Sequence, residues 1–177
     1  MREKLMEPLA IHRRQFLRGD LRGRRVAIRP PWALGEAAFV ERCTRCDDCV
    51  KACPESVIRR GSGGFPELDF AARGCSFCGD CVRACRAGAF AEAVGPAIEA
   101  WGHRASVAAG CLAANGVVCR ACGDHCAVGA IRFRLAPGGR SHPAVDLSRC
   151  NGCGACVAVC PVQAVSLQTP DSREVAA

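Results

Sequence analysis

Cys43-Thr44-Arg45-Cys46-Asp47-Asp48-Cys49-Val50-Lys51-Ala52-Cys53-Pro54 is the stretch whose reading decides the fold. Its four cysteines are separated by two, two and three residues. The same intervals return at Cys75, Cys78, Cys81 and Cys85, and again at Cys150, Cys153, Cys156 and Cys160. A further group, Cys111, Cys119, Cys122 and Cys126, keeps the last two intervals but sets seven residues, Leu112 to Val118, after its first member. The 16 cysteines of the chain all fall within these four groups.

A sulfur at every third residue of a short loop reaches three corners of an iron–sulfur cubane, and the fourth corner takes a sulfur from elsewhere. Such runs therefore come in pairs, the last cysteine of one completing the centre of the other. Two-residue loops close disulfides poorly, and the N-terminal residues do not read as a secretory signal. Structural zinc usually takes two well-separated Cys-x2-Cys pairs, whereas here a third and fourth cysteine follow at once. The spacing thus assigns all sixteen cysteines to the iron of four [4Fe-4S] clusters. The wide interval after Cys111 leaves the third centre least pre-organised: a full cubane is expected, with a labile or three-iron form as the alternative. Proline follows the last cysteine at Pro54 and Pro161, but Arg86 and Ala127 stand there in the other two runs.

Which runs pair is read from what lies between them. Val57-Ile58-Arg59-Arg60, a Gly61-Ser62-Gly63-Gly64 turn and Phe65 to Phe70 predict a β-hairpin. Ala130 to Arg134, Pro137-Gly138-Gly139 and His142 to Leu147 predict another, and Pro66/Asp69 and Pro143/Asp146 repeat one Pro-x-x-Asp pattern. The segment between Cys85 and Cys111 lacks that pattern and reads as an Ala-rich helical stretch from Ala97 to Ala109. Runs one and two then form one module and runs three and four another, with nested pairing (first with fourth, second with third) left open. In the tandem arrangement the ligand sets are Cys43, Cys46, Cys49 with Cys85; Cys75, Cys78, Cys81 with Cys53; Cys111, Cys119, Cys122 with Cys160; and Cys150, Cys153, Cys156 with Cys126.

The expected fold class is α+β, a tandem pair of bacterial-ferredoxin-like modules, each for two [4Fe-4S] clusters, with short β-hairpins and short helices. Residues 1–35 are read as a basic N-terminal arm with a Pro-rich linker, 36–96 as the first module, 97–110 as a helical linker, 111–169 as the second module and 170–177 as a disordered tail. A helix is expected from Glu36 to Arg42, and a short one between the third and fourth cysteines of each run, with Val50, Val82 and Val157 covering the clusters. Arg29-Pro30-Pro31-Trp32 reads as extended chain, either laying Trp32 on the cluster body or serving as a docking strip. Asp48, Asp80 and Asp124 are expected as solvent-facing caps, and His12, His103, His125 and His142 are not needed as ligands. With so little conventional core, the chain without its metal is expected to be largely disordered.

The formal net charge is +7. Each oxidised cubane with its thiolates adds about two negative charges, which brings the loaded protein to roughly −1. Residues 1 to 42 hold ten Lys and Arg against five Asp and Glu, so the loaded protein is a basic arm on an acidic body. Aromatic residues do not interleave with the basic ones, which argues against nucleic acid. No 18-residue apolar run occurs, so no transmembrane helix is expected. Arg13-Arg14-Gln15-Phe16-Leu17-Arg18 resembles a twin-arginine export signal, but the charged residues after it are no apolar h-region. The segment is read as a retained arm and the protein as cytoplasmic. No dinucleotide fingerprint or nucleophile arrangement is present, so no enzymatic activity is expected.

Arg13-Arg14, Ile28-Arg29-Pro30-Pro31-Trp32, Cys43-Thr44-Arg45-Cys46, Gly63-Gly64-Phe65-Pro66, Cys75-Ser76-Phe77-Cys78, the wide third run and Asn151-Gly152-Cys153-Gly154-Ala155-Cys156 together resemble the NapF ferredoxin-type family of periplasmic nitrate reductase systems. The resemblance implies a cytoplasmic iron–sulfur protein that contacts the reductase catalytic subunit NapA as a precursor and assists its maturation or cofactor loading before export. Plain electron transfer between an electron donor protein and an acceptor is the alternative.

Overall fold

The computed structural model describes residues 27–169. The twin-arginine-like segment, most of the basic arm, His12 and the 170–177 tail lie outside them. The described chain is α+β, with short helices and short antiparallel strands. The first module contains α1 (Glu36–Arg42), α2 (Asp48–Lys51), β1 (Ile58–Arg60), β2 (Pro66–Leu68) and α3 (Asp80–Ala84). The second contains β3 (Arg104–Val107), α4 (Ala121–Asp124), β4 (Ile131–Ala136), β5 (Arg140–Val145), α5 (Ala155–Ala158) and β6 (Val165–Gln168). Helix α1 and both hairpins stand where the sequence reading puts them, and α2, α3, α4 and α5 each carry the third cysteine of a run.

The two hairpins share one construction. Strands β1 and β2 pair from Ile58↔Leu68 to Arg60↔Pro66, and β4 and β5 from Ile131↔Val145 to Ala136↔Arg140. The amide of Asp69 donates to the carbonyl of Val57 at 2.8 Å and that of Asp146 to Ala130 at 2.7 Å. Each aspartate then accepts on Oδ1 from the amide two residues on, Ala71 or Ser148, at 3.0 Å. This is the physical content of the Pro-x-x-Asp repeat: the aspartate closes the hairpin and turns the chain into the next cysteine run.

The segment 97–110 is not a helical linker. Only Ala97–Glu99 makes a single 3-10 turn, and Arg104–Val107 is a strand paired antiparallel with β6, from Arg104↔Gln168 to Val107↔Val165. The second module therefore begins before Cys111. The first module likewise begins before residue 36: Ala33 bridges Phe90, the amide of Leu34 donates to Ala89 at 3.1 Å and that of Ala91 to Trp32 at 2.8 Å. Each module thus consists of an incoming segment, a run, a hairpin, a run and an outgoing segment that pairs with the incoming one.

Trp32 is only 7% exposed, and Pro30 and Pro31 are fully buried. The strip is part of the first core, and the docking-strip reading is set aside for Trp32. That core holds Phe39, Val57, Ile58, Leu68, Phe70 and Phe90 beside Cys49 and Cys81, with Val50, Val82 and Val157 packed on it. The second core is poorer: Ile131 and Val165 are its large aliphatics, and alanines and Cys122, Cys150 and Cys156 make up the rest. The aspartates beside the cysteines do not cap helices. No side-chain cap bond is made at α2, α3 or α4, and Asp80 instead pairs with Arg83.

Candidate metal centres

Left-handed backbone positions shape three of the cysteine runs. In the first, second and fourth, the residue before the second cysteine has positive φ: Arg45 at 60°, Phe77 at 54°, Gly152 at 72°. So does the residue after it: Asp47 at 66°, Gly79 at 78°, Gly154 at 80°. These reversals fold a seven-residue segment into a cup with its three sulfurs inward. Arg45, Phe77 and Asp47 hold them without glycine, at a cost of about 1–2 kcal/mol each, which points to a conformation that the site requires. The third run lacks the device. Arg120, after Cys119, has φ of −131°, and Gly116, at φ 85°, turns the long interval instead. Asn115 holds that interval closed, its Nδ2 donating to the carbonyls of Ala109 and Cys111, each at 2.8 Å.

All four runs end alike. The third residue after the last cysteine, Ser56, Gly88, Gly129 or Gln163, has φ between 51° and 65°. The next residue, Val57, Ala89, Ala130 or Ala164, is buried. Pro54 and Pro161 are therefore dispensable to the turn, since Arg86 and Ala127 allow the same one.

The structure gathers the sulfurs into four sets. Cys43, Cys46, Cys49 and Cys85 line one concavity of about 330 Å3, with Arg45, Pro66 and Phe90. Cys75, Cys78, Cys81 and Cys53 line another of about 310 Å3, with Pro31, Leu68 and Phe77. Cys111, Cys119 and Cys160 pack with Ala113 and Ala164, and Cys122 faces Cys111 and Cys119. Cys126 lies close to Cys150, Cys153 and Cys156. Each set combines three cysteines of one run with the last of its module partner, the tandem geometry. His125 stands apart from these sets, its Nδ1 3.0 Å from the carbonyl of Ala121.

The chemistry of these sets fits an iron–sulfur cluster. Burial, then the neighbouring thiols, pushes Cys49 up to about 11, and Cys81 and Cys156 to about 12. Thiols buried and crowded in this way ionise readily only beside a cation that balances their charge. Among the described residues, no group of three or more His, Cys, Asp or Glu converges tightly enough for a single ion. The sulfurs of the first two sets line concavities, as a cluster requires.

Backbone amides already point at some sulfurs. Ala130 donates to Cys126 Sγ and Ala164 to Cys160 Sγ at 3.2 Å, and Phe77 to Cys75 Sγ and Ala105 to Cys150 Sγ at 3.4 Å. Such bonds favour the thiolate and tune cluster potential. Sequence reasoning missed them. The only trace was a small or apolar residue four places after each final cysteine.

The 4Fe-4S dicluster domain family matches residues 42–89 and 117–164. The chain is 42% identical over 173 residues to the ferredoxin-type protein NapF of Haemophilus influenzae, covering 92% of this chain and 96% of that one. It is 40% identical over 156 residues to NapF of Escherichia coli K12, covering 88% and 93%. The methylamine utilization ferredoxin-type protein MauM of Methylophilus methylotrophus is 31% identical over 156 residues, covering 80% and 69%. The cofactors are [4Fe-4S] clusters, and two dicluster domains have room for four.

Proposed function

The chain belongs to the NapF family of ferredoxin-type proteins, and on that premise we propose that it is a cytoplasmic iron–sulfur accessory protein. It binds the nitrate reductase catalytic subunit NapA before export and assists its maturation or cofactor loading. The carrying observation is likeness to NapF along nearly the whole chain. No helix among the described residues is long and apolar enough to cross a membrane.

In this reading the sixteen cysteines are the cluster ligands, in the four sets described above. A bound cluster supplies one-electron redox chemistry at a potential set by exposure and by hydrogen bonds to sulfur. The chain does the rest. Phe77, Ala105, Ala130 and Ala164 donate to ligand sulfurs, the apolar residues of α2, α3 and α5 exclude water, and the left-handed residues hold the sulfurs in place. The chain itself has no catalytic role.

One observation favours electron transfer as the second reading: Cys46 and Cys78 are exposed, so the first two centres reach the surface. The test compares a strain lacking the gene with its parent. Under the first reading the NapA made without it lacks iron, and the purified NapA precursor captures the loaded protein. Fully loaded NapA in the deletion strain would overturn maturation and leave electron transfer.

A further inference from the structure

The second and fourth cysteine runs meet across the modules. The amide of Cys75 donates to the carbonyl of Cys153 at 2.7 Å. Glycines allow the approach: a Cβ on Gly74 would lie 2.7 Å from the amide nitrogen of Ala155, and one on Gly154 would lie 2.1 Å from the ring of Phe70. Trp101 fills the angle between the loops. Its ring stands edge-on to Phe70 at 6.4 Å and to Phe77 at 5.4 Å, and its Nε1 donates to the carbonyl of Asn151 at 2.9 Å. Phe77 belongs to the second run and Asn151 to the fourth, so this one side chain touches both.

We propose that this joint makes the second-run and fourth-run centres the neighbouring pair between the modules, with Trp101 as the positioning residue that sets their separation. The proposal rests on the sixteen-ligand reading above. Within a module the two runs already adjoin, α2 against α3 and α4 against α5. The centres are therefore ordered first, second, fourth, third in space. The irregular third run ends the line opposite the first.

The test uses the full chain with Cys43, Cys46, Cys111 and Cys119 replaced by alanine, which leaves runs two and four complete. Expected are iron and sulfide for two clusters and, on reduction with dithionite, a paramagnetic spectrum broadened by spin–spin interaction. Trp101→Ala in that background should remove the broadening at unchanged iron content, whereas Trp101→Phe, which keeps a ring, should retain most of it. Two clusters without interaction would overturn the joint, as would equal interaction in a chain with Cys75, Cys78, Cys111 and Cys119 replaced instead, which keeps the ligands of the first-run and fourth-run centres. Should iron fall short of two clusters, the ligand reading fails, and hydrogen exchange of the Cys75 amide in the otherwise intact chain decides the joint. Slow exchange that Trp101→Ala accelerates at least tenfold supports it; exchange indifferent to Trp101 overturns it.

Discussion

The guanidinium of Arg29 forks onto the carboxylate of Glu36, Nη2 to Oε1 at 2.5 Å and Nε to Oε2 at 2.8 Å. Its Nη1 donates to the carbonyl of Pro66 at 3.0 Å, and the group lies 5.2 Å from the ring centre of Phe39 and 5.5 Å from that of Phe65. One side chain thereby ties the incoming strip to α1 and to the hairpin. Arg29→Ala is predicted to destabilise the first module by about 2–3 kcal/mol, since charged hydrogen bonds and ring contacts go together. Arg29→Lys should lose less, keeping charge without the fork. Thermal bleaching of the cluster absorbance measures both. Unchanged bleaching with lost NapA capture would restore the strip as a docking element.

His103 gives the protein a pH dependence of definite sign. Burial, then the charge of Arg104, holds the imidazole below its usual 6.5. The unfolded chain therefore binds more protons in the window just below pH 6.5, and stability rises with pH through that window and levels off above it. His103→Gln should flatten the slope of thermal midpoint against pH between about 5.5 and 7. A parallel slope in the variant would assign the effect to another group.

How much was legible follows from whether the cause is local. Cysteine spacing, turn glycines and the Pro-x-x-Asp pattern act within a few residues, so the runs, the hairpins and α1 could be read directly. Strand β3 could not. Alanines around Ala97 to Ala109 favour helix, yet Arg104 to Val107 find a partner in Val165 to Gln168, some sixty residues on, and the ladder wins. The burial of Trp32 is equally non-local, because its amide is held by the carbonyl of Ala100 at 2.9 Å and its ring meets Phe77. The donors to sulfur are backbone groups, which residue identity does not reveal.

The third centre should be the first to lose iron. Its loop lacks the left-handed positions of the other runs and relies on Asn115 to hold the interval after Cys111. Asn115→Ala removes both bonds, worth about 1 kcal/mol each, and leaves the carbonyl of Ala109 to water, while that of Cys111 keeps the backbone amide of residue 115 at 3.2 Å. Iron per chain under mild oxidation should fall by about a quarter in the variant before other loss begins, one cluster in four. Loss spread evenly over the centres would refute the ranking.

Removing the metal should separate the modules. Without iron the buried thiols of either module lose the cation that holds them together, and folding that depends on a metal site goes with it. The first module retains Phe39, Phe70, Phe90, Val57, Ile58 and Leu68 as mutual contacts. At about 25 cal/mol per Å2, burial of that apolar surface opposes collapse of the module. In the second, Ile131 and Val165 are the large buried aliphatics, set among alanine and cysteine. After chelation, hydrogen exchange should therefore show β4, β5 and β6 exchanging at unprotected rates, while β1, β2 and α1 keep measurable protection. Equal loss in both modules would mean that the first core also depends on its clusters, whatever its aromatic content.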